Sequence, residues 1–197
     1  MKKLIALVII FILYTISIKT CPVITEWDKS VIIFVQGLLN ILPVAIPLLA
    51  DCILYWIMVF IPIFLSYVWG LKVKNFAPAI AMTVVPLIAY TSKFILKPIF
   101  QRPRPPVDLQ IAVHPHSFSY VSTHSVVTFT VWGLVIYFLC KYCENKYLKY
   151  MGILFAVLWI LFVGLSRVWI GVHYPTDVIG GYLLGFILIM IYSKIRI

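Results

Sequence analysis

Long apolar stretches separated by short polar segments run along almost the whole chain. A helix needs about 17 to 25 such residues to cross roughly 30 Å of hydrocarbon, and six stretches approach or reach this length. The pattern therefore predicts an all-α fold, a polytopic membrane helix bundle. The expected spans are Leu4–Ile18, Cys52–Trp69, Phe76–Leu96, Ser125–Cys140, Leu148–Leu165 and Val178–Tyr192.

A further apolar segment, Val31–Ala50, is broken by one polar residue and two prolines, Asn40, Pro43 and Pro47. Proline lacks a backbone donor and kinks or ends a helix, which disfavours a straight seventh span here. We expect an interfacial helix near residues 28–41, followed by a bend, with Trp27 and Asp28 at headgroup level. A seventh span is the alternative.

The composition places the chain outside the range of soluble domains. Of the 197 residues, 63% are hydrophobic and 11% are charged, and the mean hydropathy is +1.08. We find no internal repeat, low-complexity tract or linker, so residues 1–197 are expected to form a single domain. The formal net charge of +10 needs no nucleic-acid partner, because basic loops that face anionic lipid account for it.

The basic residues are distributed unevenly between the two ends of the predicted bundle. One end carries nine of them: Lys2, Lys3, Lys72, Lys74, Lys141, Lys146, Lys149, Lys194 and Arg196. The other end carries seven: Lys19, Lys29, Lys93, Lys97, Arg102, Arg104 and Arg167. Lys and Arg are enriched on cytoplasmic loops, so we expect both termini in the cytoplasm and the second end outside a cytoplasmic (inner) membrane.

Three polar clusters interrupt the apolar pattern, each at the end of a span. They are Lys97 with Arg104, Ser122 with His124, and Arg167 with His173 and Asp177. If the spans cross in sequence, all three clusters reach the same face of the membrane. Charged groups at the edge of a bilayer are costly unless they pair or act chemically, so this convergence predicts a site for an anion.

The residues of the first two clusters could serve a phosphate site or have purely structural roles. Four prolines in the stretch from Lys97 to Pro106 force an extended loop, and Arg104 there has the planar fork that suits two phosphate oxygens. Both cations could instead anchor a helix end. Ser122 begins a span where free N–H groups favour an anion, but it could be only an N-cap. His124 could donate a proton to a leaving oxygen, or be an ordinary interfacial histidine.

The third cluster is the most specific. Pro175 favours the first turn of the last span, which puts His173 just before the helix and Asp177 in its first turn. A carboxylate bonded to one imidazole nitrogen leaves the other nitrogen to act as a base or nucleophile. Asp177 could instead be a capping carboxylate at the helix N-terminus.

Metal-dependent phosphate chemistry competes with this interpretation, since two-metal sites require several carboxylates close together. The six acidic residues are scattered over loops: Glu26, Asp28, Asp51, Asp108, Glu144 and Asp177. Cys140 and Cys143 have metal-ligand spacing, but no second pair completes a tetrahedral site. Three fixed cations can stabilise phosphoryl oxygens in place of metal ions, so we predict neither a metal nor another cofactor.

The order and spacing of the three polar clusters form the most informative pattern in the sequence. Lys97 precedes Arg104-Pro105 by six intervening residues, Ser122-Thr123-His124 follows, and Ser166-Arg167 precedes His173 and Asp177. This order resembles the signature of the type 2 phosphatidic acid phosphatase superfamily, which also includes vanadium haloperoxidases. The resemblance covers about the last half of the chain. The second motif departs from the usual Pro-Ser-Gly-His, because Val121 and Thr123 replace the proline and the glycine.

The resemblance implies a role for each site residue. His173 would be the nucleophile that forms a phosphohistidine, Asp177 would orient it, and His124 would protonate the leaving group. The phosphate would be held by Lys97, Arg104, Arg167, Ser122 and the backbone of Thr123. If the glycine position needs a positive φ, the β-branched Thr123 would be costly there.

These observations together predict a membrane-embedded phosphatase acting on a lipid phosphate or diphosphate on the outer face of the membrane. Undecaprenyl diphosphate, phosphatidylglycerophosphate, phosphatidic acid and lipid A phosphates all remain possible substrates. One alternative is transfer of the phosphoryl group to another lipid, and another is a non-catalytic protein that binds or transports an anionic lipid. We predict no protein partner.

Overall fold

A computed structural model describes residues 1–49, 53–111 and 113–195 of the chain. Four positions named above, Ala50, Asp51, Cys52 and Arg196, lie outside these ranges. The α-helices of the described residues are α1 (Lys2–Thr20), α2 (Pro22–Leu38), α3 (Ala45–Leu48), α4 (Ile53–Val73), α5 (Ala77–Thr91), α6 (Lys93–Phe100), α7 (Thr123–Tyr142), α8 (Lys146–Trp169) and α9 (Pro175–Ile195).

Six helical segments are long and apolar enough to cross a membrane, which confirms the predicted all-α membrane bundle. They are Lys2–Thr20, Leu54–Val73, Ala77–Phe100, Thr123–Tyr142, Lys146–Trp169 and Pro175–Lys194. An unbroken helix satisfies its own backbone hydrogen bonds, which hydrocarbon cannot do. Large apolar side chains such as Phe64 and Leu161 are exposed on the outer faces, as expected of surfaces that contact lipid tails.

The segment between the first two spans forms two helices outside this set of six. α2 has 17 residues and α3 has four, so the alternative of a seventh span finds no support in the described part of this segment. The expected helix near residues 28–41 in fact covers Pro22–Leu38. It starts earlier because Cys21 has an extended backbone that ends α1, and Pro22 then occupies the first turn of α2.

α7 lies at the centre of the bundle and packs against α5, α8 and α9. Its buried face carries apolar residues such as Val126, Val131 and Leu134. α9 approaches α7 closely at Gly181, where an added Cβ would lie 2.8 Å from Ser125 Cβ. This arrangement brings the C-terminal ends of α6 and α8 to the same end of the bundle as the N-terminal ends of α7 and α9.

Candidate active site

A cavity of about 750 Å³ lies at this end of the bundle. Its lining includes six of the eight predicted site residues, namely Lys97, Arg104, Thr123, His124, Arg167 and His173. The other two, Ser122 and Asp177, are fully buried. The three clusters therefore meet in one place, as their positions at the ends of the spans predicted.

His173 is placed by a tight turn between α8 and α9. The turn closes when the backbone N–H groups of Val172 and His173 donate to Arg167 O, at 3.2 and 3.3 Å. Gly171 has a φ of +70°, and a Cβ there would overlap the backbone oxygen of Leu109. Glycine is therefore needed at this position both for the left-handed backbone and for the close approach.

The two imidazole nitrogens of His173 face different surroundings. Nδ1 lies 3.5 Å from Asp177 Oδ2 and 3.4 Å from Ser119 Oγ. Nε2 lies 3.4 Å from Nη1 of Arg104, which lines the cavity. A proton on Nδ1 directed at the carboxylate leaves the Nε2 lone pair on the cavity side.

His173 is suited to act as a nucleophile because it is neutral near neutral pH. Burial lowers the pKa of its imidazole from 6.5 to about 3, and the charges of Arg104 and Lys97 act in the same direction. Asp177 opposes this effect through its hydrogen bond and its negative charge. The imidazole is therefore unprotonated over the whole range in which most enzymes work.

Asp177 combines the two roles that the sequence left open. It lies in the first turn of α9, and its Oδ2 accepts the Tyr174 N–H at 3.0 Å as a capping bond. The same oxygen lies next to His173 and accepts a hydrogen bond from Ser119 Oγ. Capping and alignment of the imidazole therefore involve the same carboxylate oxygen.

Lys97 and Arg104 are held by the loop segment that precedes α7. Lys97 Nζ donates to Phe118 O at 2.6 Å and to Ser117 Oγ at 3.3 Å. Arg104 donates from Nε to Ser117 O at 2.7 Å and from Nη1 to Val172 O at 2.5 Å. Ser117 therefore ties the two cations together at one wall of the cavity.

Arg167 is 1% exposed although it lines the cavity. It lies in the last turn of α8, and its Nε donates to Ser166 Oγ at 3.2 Å. Its Nη2 lies 3.5 Å from Pro47 O in α3. The short helix after the bend thus helps to hold this guanidinium.

The second motif forms the start of α7. Ser122 is the N-cap residue, but its side chain makes no capping bond and its Oγ accepts from Ser125 Oγ at 2.9 Å. Positive φ angles in the described residues occur at Lys74, Gln101 and Gly171, so the threonine at position 123 carries no such strain. The His124 ring packs edge-on against Tyr55, with 4.5 Å between ring centroids.

Three buried polar residues at the site were not predicted from the sequence. Ser119 donates to Asp177, and Arg102 forms ion pairs with Asp177 and with Asp28. Asp28, which we expected at headgroup level, is fully buried inside the protein. No local sequence pattern predicted the burial of Asp28, because its partner Thr176 lies 148 residues away along the chain.

Within the described parts of the chain, His, Cys, Asp and Glu side chains form no group of three or more that could hold a metal ion.

Most of the residues that line this cavity lie in a part of the chain that matches a family model. The model of the PAP2 superfamily matches residues 76–196, a range that includes every motif from Lys97 to Asp177. The chain belongs to the PAP2 superfamily. This assignment confirms the resemblance that the three motifs carried.

Individual proteins can also be compared with this chain. A crystal structure of a transmembrane PAP2 type phosphatidylglycerolphosphate phosphatase from Bacillus subtilis has a TM-score of 0.78 and 27% identity, over 99% of this chain and 96% of that chain. Phosphatidylglycerophosphatase B of Bacillus subtilis is 42% identical over 48% of this chain and 46% of its own length.

Two further relatives have other substrates in their names. A lipid A 4'-phosphatase of Bacteroides thetaiotaomicron is 29% identical over 64% of this chain and 60% of its own length. An undecaprenyl-diphosphatase of Sulfolobus acidocaldarius is 42% identical over 36% of this chain and 30% of its own length. The matched regions thus span between about a third and three fifths of these curated relatives.

The cluster of cations predicts that the cavity binds an oxyanion. Inorganic phosphate should raise the apparent Tm of the detergent-solubilised protein, because a ligand that binds only the folded state stabilises it. Lys97→Gln or Arg104→Gln should weaken this binding by roughly tenfold or more, since each removes charged hydrogen bonds.

Lys72→Gln is the matched control, because Lys72 lies in the last turn of α4, at the opposite end of the bundle. It should retain the full phosphate-dependent shift. Equal shifts in all four proteins would show that phosphate does not bind at this cavity.

Proposed function

We propose that this chain is a lipid phosphatase that hydrolyses a phosphate or diphosphate group of a membrane lipid through a phosphohistidine at His173. The observation that carries the proposal is the placement of a neutral, buried imidazole between Asp177 and Arg104 at the cavity wall. Membership of the PAP2 superfamily supports the same chemistry.

In the first step, His173 Nε2 attacks phosphorus and the bond between phosphorus and the leaving oxygen breaks. Lys97, Arg104 and Arg167 stabilise the charge on the equatorial oxygens, and the N-terminus of α7 adds backbone donors. His124 gives its proton to the leaving oxygen, which departs as an alcohol or a phosphate. Asp177 stabilises the positive charge that the imidazole acquires.

In the second step, a water molecule attacks the phosphohistidine. His124, now neutral, accepts a proton from that water, and His173 leaves from phosphorus. Inorganic phosphate is released, and both histidines return to their starting protonation states. The cations act in the same way in both steps, because both pass through a similar distribution of charge.

The composition of the cavity favours an amphiphilic substrate. Its charged residues lie on α6, α8 and the loops, whereas α4 and α5 contribute the aromatic side chains of Tyr55, Trp56 and Tyr90. A phosphate at the cations would therefore leave an attached chain against aromatic rings and the neighbouring lipid. The names of the relatives, which include a phosphatidylglycerophosphatase and an undecaprenyl-diphosphatase, support this class of substrate.

We further propose that the cavity faces the outside of a bacterial cytoplasmic membrane. Four of the basic residues at the cavity end are parts of the site, namely Lys97, Arg102, Arg104 and Arg167. Their position is explained by their bonds to acids, hydroxyls and backbone oxygens of the site, and by the expected substrate. The remaining bias of basic loops favours the opposite end, with both termini, as the cytoplasmic side.

His173→Ala should abolish phosphate release while leaving a folded, inserted protein, because alanine removes the attacking nitrogen. We expect a loss of at least roughly a thousandfold. Release should be measured in detergent with excess EDTA on a panel of phosphatidylglycerophosphate, polyprenyl diphosphate and phosphatidic acid.

His116→Ala provides the control for that variant, since His116 is an exposed residue of the same cavity and forms no hydrogen bond to Asp177 among the described residues. Turnover by His173→Ala at the normal rate would refute the nucleophile. A wild-type protein that is inactive on every lipid phosphate would instead favour a binding or transport protein.

His124→Ala should slow the reaction in proportion to how poorly the leaving group departs. A lipid alkoxide needs a proton to leave, so kcat for a lipid phosphate should fall by about 100-fold or more. Nitrophenolate leaves without a proton, so kcat for the aryl phosphate should fall far less. The comparison requires kcat for a lipid phosphate and for an aryl phosphate in the same detergent. Equal losses for both substrates would argue against proton donation by His124.

The orientation can be tested with single-cysteine proteins. Val107 is 68% exposed at the cavity end, and Cys140 is exposed at the other end. Val107→Cys, with the four native cysteines replaced by serine, should react with a membrane-impermeant maleimide in intact cells. A protein that keeps only Cys140 should react only after lysis, and the reverse pattern would overturn the proposed topology.

A further inference from the structure

A second group of charged residues lies behind the His173–Asp177 pair. The guanidinium of Arg102 bridges two carboxylates, with Nη1 2.5 Å from Asp177 Oδ1 and Nη2 2.7 Å from Asp28 Oδ2. Arg102 is 9% exposed, and both carboxylates are fully buried. Asp28 belongs to α2, so a helix outside the six spans reaches the catalytic carboxylate through one arginine.

Asp28 is also bonded to the start of α9. Its Oδ1 accepts the Thr176 N–H at 3.1 Å, and its Oδ2 accepts from Thr176 Oγ1 at 2.5 Å. Thr176 Oγ1 in turn accepts from Arg102 Nη1 at 2.8 Å. The guanidinium carbon lies 4.3 Å from the centre of the Tyr174 ring. Arg102 is thus fixed by two acids, one hydroxyl and one aromatic face.

Asp177 uses its two oxygens for different purposes. Oδ1 accepts from Arg102, whereas Oδ2 lies against His173 and accepts from Ser119 and from the Tyr174 N–H. A buried carboxylate without a counter-ion would strongly favour a protonated imidazole beside it. A protonated imidazole has no free lone pair and cannot attack phosphorus.

We infer that Arg102 and Asp28 are positioning residues that keep His173 in its neutral, nucleophilic form. Arg102 compensates the charge of Asp177 from the side away from His173, and Asp28 holds Arg102 in place while limiting its excess positive charge. The inference rests on the proposed role of His173 and adds two residues to the reaction that do not line the cavity.

Other charged groups also face the His173–Asp177 pair. Lys97 and Arg104 approach from the segment after α5, Arg167 from α8 and His124 from α7, while the hydroxyl-bearing rings nearby are Tyr14, Tyr120 and Tyr174. None of them is altered when Arg102 or Asp28 is substituted. A change in the pH dependence of such variants therefore reports on the Asp28–Arg102 pair.

The experiment compares the pH dependence of kcat for one lipid phosphate in five forms of the protein. They are the wild type, Arg102→Gln, Arg102→Lys, Asp28→Asn and the double variant Arg102→Gln/Asp28→Asn. Glu26→Gln is the matched control, because Glu26 also lies on α2 but its carboxylate is 71% exposed and pairs only with Lys29 in the described structure.

The pH dependence of kcat should differ between the variants according to the charges that remain at positions 28 and 102. The acidic limb of each profile is the low-pH range in which kcat falls because His173 becomes protonated. Arg102→Gln leaves two buried acids near His173, so its acidic limb should move up by roughly one pH unit or more. Asp28→Asn leaves the arginine with one acid, so its limb should stay at or below that of the wild type. The double variant removes one charge of each sign and should move the limb back toward the wild type.

Arg102→Lys separates charge from geometry. It keeps the positive charge and should keep the acidic limb, whatever it loses in kcat. Glu26→Gln should match the wild type in both kcat and pH dependence. If Arg102→Gln does not yield a monodisperse protein, Asp28→Asn against the wild type still tests the inference, because loss of this negative charge should lower the pH at which activity is lost, and a rise would contradict it.

Two results would overturn the inference. One is an acidic limb of Arg102→Gln that coincides with the wild type, and the other is an upward shift of the limb in Asp28→Asn. Both would reduce the pair to a structural role. Failure of the proposed function is a separate outcome, because it requires that His173→Ala remain active or that the wild type release no phosphate.

Discussion

The buried carboxylate of Asp177 is the group on which the geometry of the site depends. It has no exposure, so its charge must be matched by donors that the fold provides. These donors come from separate segments: Arg102 and Ser119 from the loop before α7, and the Tyr174 N–H from the turn before α9. Because Asp28 fixes Arg102 from α2, the site is complete only when α2, α9 and this loop have come together.

The bilayer explains why the site lies at the helix ends. Cations at the middle of a span would be costly, whereas at its end they can reach water and an anionic substrate. Lys97 and Arg167 each occupy the last turn of a helix, where the backbone carbonyls favour a positive charge. Thr123 begins a helix whose free N–H groups favour an anion. The helix dipoles and the side chains thus act together.

The sequence predicted the six spans and the meeting of the three motifs because both depend on local properties. Span length follows from apolar runs, and the end of a span fixes the height of its last residue. By contrast, the burial of Asp28 depends on a partner in α9, far along the chain, and no local pattern distinguishes it from an interfacial acid. The start of α2 was misplaced for a simpler reason, since Pro22 can begin a helix directly after α1.

The Arg-Pro-Arg-Pro segment shows how one short sequence serves two purposes. Each proline removes a donor and disfavours helical backbone in the residue before it, and the segment is non-helical. The two arginines are only two residues apart, yet Arg102 binds buried acids and Arg104 lines the cavity. Their separation must therefore come from their partners. Two carboxylates bind Arg102, whereas Ser117 and Val172 accept from Arg104, and it is the acids that make the first arginine part of the support behind His173, the proposed nucleophile.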